Sequence, residues 1–171
     1  MPKIHLVEGP VGAGKSTYCT ALAKRTGGVH IALDEWFARL FIPDRPSTDV
    51  VLWYMQRKAR LLDHIWNHPL ALLAAGATPI LELGLVQRQS RTEFYRRAHD
   101  AGVELQVYVL EASRGLRRDR VVRRNEEKGP TFSMVVPEAI FEMASDMWEC
   151  PDDIEVEENR IELISTECEI Q

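Results

Sequence analysis

Short apolar segments alternate with longer segments of mixed polarity along the chain. The apolar segments have the length and residue types of β-strands, which are predicted at residues 4–7, 29–33, 79–83, 103–110 and 160–165. The segments between them have helical spacing, and helices are predicted at residues 15–25, 35–40, about 48–75, 90–99, 113–128 and 137–148. This alternation is typical of an α/β fold with helices on both faces of a parallel sheet.

Local signals mark several helix ends. The long third helix can be capped by one of three polar residues, Ser47, Thr48 or Asp49. Ser90 and Glu93 have the spacing of a capping box, which predicts that the fourth helix opens at Ser90. The sequence shows no interdomain linker and is long enough to enclose one core, so a single domain over residues 1–171 is predicted.

A glycine-rich segment follows the first strand and leads into the first helix. It reads Gly-Pro-Val-Gly-Ala-Gly-Lys-Ser-Thr and contains all the fixed positions of a phosphate-binding loop. The backbone N–H groups of such a loop, together with the following helix N-terminus, bind phosphate. Lys15 is expected to contact the outer phosphates, and the Ser16 hydroxyl to ligate Mg²⁺. The residues predicted to bind a nucleoside triphosphate are Gly9, Gly12, Ala13, Gly14, Lys15, Ser16 and Thr17.

The net charge of −5 is distributed unevenly. Residues 149–171 form an acidic C-terminal segment with nine acids and one base, whereas residues 114–128 contain seven bases and three acids. A basic segment in an acidic protein favours a local anion site over a broad nucleic-acid surface.

The apolar stretches are too short or too interrupted to span a bilayer, so no membrane association is expected. The first predicted strand starts close to the N-terminus, which predicts that no signal or transit peptide precedes it. Cys19, Cys150 and Cys168 are widely spaced and form no metal-binding pattern. They are interpreted as reduced thiols of a cytoplasmic protein.

Carboxylates follow two of the predicted strands, at the edge of a parallel sheet where ligands bind. Asp34 comes directly after the second strand, and Glu82 lies near the end of the third. Beside a triphosphate, one carboxylate can accept a proton from an attacking hydroxyl, and the other can hold a water ligand of magnesium. The alternative for each residue is a helix cap or a surface acid.

The basic segment is predicted to be a helix with three arginines on one face. Arg117, Arg120 and Arg124 are spaced three and four residues apart. Arginine binds phosphate through paired hydrogen bonds, and phosphoryl transfer needs more positive charge than the loop supplies. We therefore expect a helical lid at about residues 112–135, with Arg117 at the nucleotide and Arg120 and Arg124 in catalysis. The alternative is a solvated basic helix.

Two further groups have less specific spacing. His64 and His68 are four residues apart on a helix, but the zinc-protease motif is not completed, and a surface or helix-packing pair is the simpler interpretation. Four aromatic residues can line an acceptor pocket or belong to the core: Trp36, Trp53, Tyr54 and Trp66. Trp36 is included among the predicted acceptor contacts.

These segments together resemble the small P-loop kinases of the zeta-toxin, chloramphenicol phosphotransferase and polynucleotide-kinase-like group. The resemblance rests on the phosphate loop and on four later features: Leu-Asp-Glu-Trp at 33–36, Ile-Leu-Glu-Leu-Gly-Leu at 80–85 with Arg88 and Arg91, the arginine-rich segment at 116–125, and Phe141 with Trp-Glu-Cys-Pro at 148–151. It implies a three-layer P-loop NTPase fold with a helical lid, and it implies ATP and Mg²⁺ as cofactors.

The resemblance also implies roles for individual residues. Asp34 would be the base that faces the acceptor hydroxyl, and Arg120 and Arg124 would be the arginines of the lid. Arg88 or Arg91 would reach an anionic part of the acceptor or the transferred phosphate. The related kinases usually end the third strand with Asp, and here the residue is Glu82, whose longer side chain can still reach a magnesium-bound water.

The predicted function is ATP-dependent phosphoryl transfer to a hydroxyl of a small-molecule or nucleotide-like acceptor. One alternative is a nucleotide-binding or nucleotide-hydrolysing regulatory switch. Another is a kinase for nucleic-acid ends, which the acidic C-terminal segment disfavours. The sequence lacks the Asn-Lys-x-Asp guanine motif of GTPases, and it contains no motif that identifies the acceptor or the oligomeric state.

Overall fold

Five parallel β-strands form the centre of the protein in a computed structural model, which describes residues 3–130 and 132–167. Within these residues the strands are β1 (Ile4–Glu8), β2 (Val29–Ala32), β3 (Pro79–Glu82), β4 (Leu105–Glu111) and β5 (Glu162–Ser165). Their order in the sheet is β2-β3-β1-β4-β5, and each neighbouring pair is parallel. The loops after the strands therefore open at one edge of the sheet.

Seven α-helices connect and cover the strands in the described part of the chain. They are α1 (Lys15–Thr26), α2 (Leu33–Phe41), α3 (Val50–Ala74), α4 (Arg88–Asp100), α5 (Arg114–Glu127), α6 (Glu138–Asp146) and α7 (Asp153–Asn159). A short 3₁₀ helix, Ile42–Asp44, follows α2 directly. The predicted order of strands and helices is confirmed, and α7 is an additional helix that the sequence pattern did not reveal.

Apolar side chains on the two faces of the sheet form separate cores. Leu6 of β1 belongs to one core together with Leu61 and Ile65 of α3. Val7 of the same strand belongs to the other core, together with Leu22 of α1. Successive residues of a strand point to opposite faces, so the sheet is the middle of three layers. The predicted α/β fold with helices on both faces is confirmed.

Helix caps differ from the prediction at two places. Helix α4 begins at Arg88 with Gln87 at its N-cap, so Ser90 lies inside the first turn and the predicted capping box is wrong. The Glu93 carboxylate instead accepts a hydrogen bond from the Gln89 amide at 2.9 Å. Asp49 occupies the N-cap of α3, but in this structure its side chain makes no capping hydrogen bond.

The acidic C-terminal segment is tied to α4 by a buried ion pair. Arg91 is fully buried, and its Nε and Nη2 atoms donate to the two carboxylate oxygens of Glu155 at 2.6 and 3.0 Å. The same guanidinium lies 5.2 Å from the centroid of the Trp148 ring. Arg88 pairs with Asp152, whose side chain also accepts the Glu155 N–H and caps α7. This network fixes α7 against α4.

Replacing Arg91 with methionine should lower the free energy of unfolding by about 3–5 kcal/mol, because the buried Glu155 carboxylate would lose both of its close hydrogen bonds and keep only the longer 3.9 Å contact with Arg88. Chemical denaturation measures the change. Arg88→Met on the same helix is the matched control, and we expect ~1 kcal/mol or less there because Arg88 is about half exposed, pairs mainly with the half-exposed Asp152 and lies 3.9 Å from Glu155. Equal losses in the two variants would contradict the structural role given to the buried pair.

The described residues contain no helix that is long and apolar enough to cross a membrane. Cys19 is a buried free cysteine, and Cys150 is an exposed one whose thiol donates to Glu111 Oε1 at 3.2 Å. Cys168 lies outside the described residues.

Candidate functional site

The predicted phosphate loop joins β1 to α1 and is packed tightly on both sides. Gly9 and Gly12 have φ angles of 148° and 80°, which disfavour any residue with a side chain. A Cβ atom at Gly9 would lie 2.5 Å from the carbonyl oxygen of Leu110, and one at Gly12 would lie 2.6 Å from that of Arg117. The loop therefore needs glycine at both positions because β4 and α5 approach its backbone closely.

The N-terminus of α1 faces the same loop. Gly14 is the N-cap and supplies no capping side chain, so the first N–H groups of the helix are available to an anion. The Lys15 ammonium donates to the carbonyl oxygens of Gly9 and Pro10, at 2.9 Å each. These contacts keep a positive charge at the loop, where it adds to the helix dipole.

The other predicted loop residues have different environments. Ala13 is buried; its N–H donates to Pro10 O at 3.2 Å, and its carbonyl oxygen accepts from the Thr166 hydroxyl at 2.9 Å. Thr17 is exposed in the first turn of α1. Thr166, which follows the edge strand β5, thus connects this edge of the sheet to the loop, and no sequence pattern indicates this contact.

Ser16, Glu82 and His30 form a hydrogen-bonded chain beside the loop. The Ser16 hydroxyl donates to Glu82 Oε1 at 2.9 Å, and His30 Nε2 donates to Glu82 Oε2 at 3.1 Å. Burial alone would raise the pKa of Glu82, but the hydrogen bonds from His30 and Ser16 and the charge of Lys15 hold it below its ordinary value. Glu82 is therefore a carboxylate at neutral pH.

The two residues predicted to hold Mg²⁺ are adjacent. Ser16 Oγ and Glu82 Oε1 are both hard oxygen ligands, and magnesium prefers such ligands with several waters retained. The residues present therefore fit the ion. The longer glutamate side chain does reach Ser16 from the end of β3.

Asp34 lies in the first turn of α2, because β2 ends at Ala32 instead of continuing to residue 33. Asp34 is exposed to solvent, yet charged and apolar protein groups lie around its carboxylate. Their desolvating effect and the charge of Glu82 raise the pKa of Asp34, while Lys58, Lys15 and Arg124 act in the opposite direction. Asp34 is thus close enough to the loop lysine and to Glu82 to interact with both.

Helix α3 brings two further side chains towards Asp34. Burial and the Asp34 charge raise the pKa of Tyr54 to about 12. Lys58, one helical turn later, donates to Gly84 O at 3.1 Å and interacts electrostatically with Asp34. Tyr54 was one of the aromatic candidates, whereas Lys58 was missed. The sequence shows that Tyr54 and Lys58 are four residues apart and so share one face of α3. It does not show which face of α3 lies towards Asp34.

The three predicted arginines of α5 share one face but have different partners. Arg117 is buried and donates to Val11 O at 2.9 Å, so it supports the phosphate loop from behind. Arg120 donates to the side chain and the carbonyl oxygen of Thr166. Arg124 is half-buried and interacts with the carboxylates of Asp34 and Glu82, while burial lowers its pKa. Its Nε has no hydrogen-bond partner among the described residues. Of these three arginines, Arg124 faces the carboxylates.

Other residues of the predicted lid connect α5 to α6 and to the segment between these two helices. Arg114 and Arg118 pair with Glu142 of α6. The Asn125 side chain donates to Val136 O at 2.8 Å and accepts from the Val136 N–H at 3.1 Å, which holds the segment after α5 against the helix. The basic residues of α5 are therefore divided between the site and the adjoining helix.

Three predicted acceptor residues have other partners in this geometry. Arg91 is fully buried against Glu155, so neither it nor its charge is available to an acceptor. Trp36 lies two positions after Asp34 on α2, so the two side chains leave the helix in different directions. The Trp36 ring packs edge-on against His68, with centroids 5.1 Å apart. Arg88 is largely exposed but is paired with Asp152. We leave all three out of the proposed acceptor site.

Glu8, the last residue of β1, is fully buried directly before the phosphate loop. Its Oε2 accepts the Leu85 N–H at 3.0 Å, and its Oε1 has no hydrogen-bond partner among the described residues. Burial raises the pKa of Glu8 to about 7, although the charges of Lys15, Arg91 and Lys58 oppose the shift. Sequence reasoning missed this residue because nothing local marks a strand residue as a buried acid.

We expect Glu8→Gln to gain stability relative to the parent protein as pH rises from about 4.5 to about 7. Over this interval an unfolded chain ionises the glutamate while the folded protein keeps it protonated, so the parent loses stability as pH rises. The amide oxygen of glutamine still accepts the Leu85 N–H. The difference in free energy of unfolding should grow by up to ~3 kcal/mol. Urea denaturation at several pH values measures it, and a difference independent of pH would refute the assignment.

Known proteins share this sequence pattern and fold. The family model of the AAA domain matches residues 4–147. A gluconokinase structure from Sinorhizobium meliloti 1021 superposes with a TM-score of 0.65 at 20% identity, covering 96% of this chain and 82% of that chain. Kti12 from Chaetomium thermophilum, in complex with ADP-AlF3, superposes with a TM-score of 0.64 at 17% identity, covering 95% and 88%. At these identities the likeness shows the fold.

A curated relative matches part of the chain. Adenylate dimethylallyltransferase from Agrobacterium tumefaciens (strain Ach5) is 28% identical over 101 residues, which are 46% of this chain and 42% of that protein. The chain thus aligns with less than half the length of this relative.

Proposed function

The chain belongs to the AAA domain family, and from this premise we propose that it transfers the γ-phosphoryl group of ATP to a hydroxyl of a small-molecule or nucleotide-like acceptor. The resemblance to P-loop kinases is confirmed by the family match and by kinases of the same fold. The proposal of a specific reaction rests on the arrangement of side chains around the phosphate loop.

The observation that carries the proposal is the meeting of opposite charges at one edge of the sheet. Asp34 and Glu82 lie within electrostatic range of Lys15 and Arg124, and the carboxylates come from the ends of two neighbouring strands. A phosphoryl group held at the loop would have cationic side chains on its oxygens and a carboxylate beside the attacking hydroxyl. Positioning and charge stabilisation of this kind supply most of the catalysis in phosphoryl transfer.

Each side chain has a proposed role. The loop N–H groups and the start of α1 bind the phosphates, and Lys15 turns from the loop carbonyls to the outer phosphate oxygens. Asp34 accepts the proton of the acceptor hydroxyl. Arg124 stabilises the negative charge that develops on the transferring group. Arg120 and Arg117 hold the loop after β5 and the phosphate loop in place, which makes them positioning residues.

Ser16 and Glu82 are the proposed magnesium-binding residues, the first through its hydroxyl and the second through a water. Bound Mg²⁺ neutralises charge on the phosphate oxygens. His30 holds the second oxygen of Glu82, so the first remains directed at Ser16.

The acceptor is proposed to bind between α2 and α3. Tyr54 and Lys58 of α3 interact electrostatically with Asp34, and Lys58 and Arg124 give this side of the cleft positive charge. A polyhydroxylated acceptor with an acidic group would fit both the cations and the proton acceptor. This agrees with the name of one structural neighbour, a gluconokinase.

A transfer assay tests the proposal. The purified chain is incubated with Mg²⁺ and γ-labelled ATP against pools of sugars, sugar acids, nucleosides, nucleoside monophosphates and oligonucleotides with 5′-hydroxyl ends. Lys15→Ala, purified in parallel, controls for contaminating kinases. A labelled acceptor formed by the parent alone supports the proposal. ADP release without a labelled acceptor would favour a regulatory switch, and labelled oligonucleotides would favour an end kinase.

Replacing Glu82 with glutamine should raise the magnesium concentration needed for half-maximal rate. The neutral amide attracts a hydrated cation far less than a carboxylate does. Glu82→Asp should recover much of this loss, because it restores the carboxylate that the related kinases carry. Turnover measured against magnesium concentration tests both variants, with melting temperature as the control for folding. Unshifted magnesium curves in Glu82→Gln would remove Glu82 from the site.

A further inference from the structure

Three side chains of metal-ligating type meet on the α1 side of the sheet, next to the Ser16–Glu82 pair. They are Cys19 of α1, His30 of β2 and Glu82 of β3, and their ligand atoms lie within 4.8 Å of one another. Cys19 is fully buried. The side chains of His30 and Glu82 keep about 20% and 13% of their surface exposed, which gives an ion a route from solvent. Cys19 and His30 have no part in the proposed phosphoryl transfer beyond the contact of His30 with Glu82.

The fold places these residues together. Ala32 of β2 is paired with Glu82 of β3, and His30 lies two positions before Ala32, so His30 and Glu82 project from the same face of the sheet. Cys19 follows Ser16 by three residues on α1, so both side chains lie on one side of the helix. Cys19 belongs to the same buried core as Ile80, which is two positions before Glu82 on the same strand. Helix and sheet thus direct all three groups into one space.

The donor set differs from that of a magnesium site. Magnesium takes oxygen ligands, whereas a thiolate, an imidazole and a carboxylate together are typical of Zn²⁺ and related borderline ions. Zinc is commonly held by three protein ligands with a water in the fourth position. The three ligand atoms lie within 4.8 Å of one another. Small side-chain movements would therefore bring each of them to the 2.0–2.3 Å that zinc–ligand bonds require.

We propose that Cys19, His30 and Glu82 form a binding site for Zn²⁺ or a chemically similar divalent ion, next to the magnesium position at Ser16 and sharing Glu82 with it. On binding, a metal–sulfur bond forms and the Cys19 thiol releases its proton to solvent. His30 binds through Nε2 as the neutral imidazole, so the proton that Nε2 donates to Glu82 moves to Nδ1. Glu82 contributes the oxygen that accepted this hydrogen bond.

Zinc binding would compete with the proposed magnesium role of Glu82. A zinc ion that draws the carboxylate towards His30 and Cys19 takes it away from Ser16, and we expect slower phosphoryl transfer. This consequence rests on the proposed function, whereas the binding site itself does not. The binding measurement is therefore the primary test, and inhibition by zinc is a second readout.

The experiment uses the full chain after removal of metals with a chelator. Zn²⁺ is titrated in competition with a chromogenic chelator, and Co²⁺ is added separately to detect thiolate-to-cobalt charge transfer in the near ultraviolet. Cys19→Ser and His30→Gln each remove one ligand. The matched control is the double variant His64→Gln, His68→Gln, since His64 is exposed, His68 is half-buried, and their Nε2 atoms lie 3.3 Å apart, which makes them the obvious alternative site.

We expect one zinc per chain. Cys19→Ser and His30→Gln should each lower the zinc affinity by at least ~10–100-fold, which is the loss seen when a residue that only hydrogen-bonds to a metal ligand is removed. The cobalt charge-transfer band should disappear in Cys19→Ser and persist in the control. Zinc binding that depends on His64 and His68 would overturn the proposal, as would the absence of a cobalt–thiolate band in the parent. If Cys19→Ser does not fold, His30→Gln and the parent cobalt spectrum still decide the question.

Discussion

Replacing Arg124 with alanine is expected to lower the rate of phosphoryl transfer by ~10³-fold or more, while ATP affinity changes far less. Arg124 is half-buried on α5, and its guanidinium faces the carboxylates of Asp34 and Glu82. A cation in this position gains most as charge develops on the transferring group, so its loss affects the transition state more than the bound substrate. Single-turnover kinetics measure the rate, and an equilibrium titration measures the affinity.

Arg118→Ala is the matched control. Arg118 lies on the same helix and carries the same charge, but its Nε donates to Glu142 of α6 at 2.9 Å. Loss of this half-exposed pair should change the rate by no more than about threefold, because Arg118 is held by α6 and, among the described residues, does not pair with Asp34 or Glu82, and such a pair is worth ~1 kcal/mol or less. If both variants slow the reaction equally, the effect is one of net charge. Parental turnover in Arg124→Ala would show that the arginine does not act in catalysis.

The fold could be predicted because its signals are local. Short apolar runs separated by amphipathic segments identify β1 to β5 and six of the helices. The alternation of strands with helices implies the parallel sheet. Helix α7 was missed because its seven residues are too few for periodicity. Asp152 and Glu155 have the spacing of a capping box, and this signal could have revealed the helix. At α4 the same kind of signal, Ser90 and Glu93, was misleading because the chain turns helical two residues earlier.

The phosphate loop was predictable for the same reason, because one continuous segment contains all its determinants. The acceptor side was not, since it depends on contacts between distant residues. The partner of Arg91 is Glu155, 64 residues later in the chain, and nothing near Arg91 shows that it is buried. His30 is likewise an ordinary strand residue until the pairing of β2 with β3 brings it to Glu82, 52 residues away. Charge pairs of this kind follow from topology and not from local pattern.

Replacing Asp34 with asparagine is expected to lower turnover by ~10²–10⁴-fold, the usual contribution of a general base. Asparagine keeps the shape of the side chain but cannot accept the proton of the acceptor hydroxyl. Nucleotide affinity should persist, because Asp34 lies on α2 while the phosphates bind at the loop and α1. Stability should also persist, because Asp34 is exposed and its surroundings do not favour the ionised form. Steady-state kinetics, ATP titration and melting temperature separate these effects.

Glu35→Gln is the control for a general effect of charge on α2. Glu35 is the next residue, is exposed, and pairs with Arg39 one turn later at 2.9 Å, so its neutralisation changes the net charge of the helix equally without reaching the loop. Turnover of this variant should stay within about twofold of the parent, as expected for an exposed ion pair. If Asp34→Asn retains turnover within about threefold of the parent, well short of the general-base contribution, Asp34 is a structural acid. If it loses turnover and ATP affinity together, Asp34 instead shapes the nucleotide site, and the base must be sought elsewhere in the cleft.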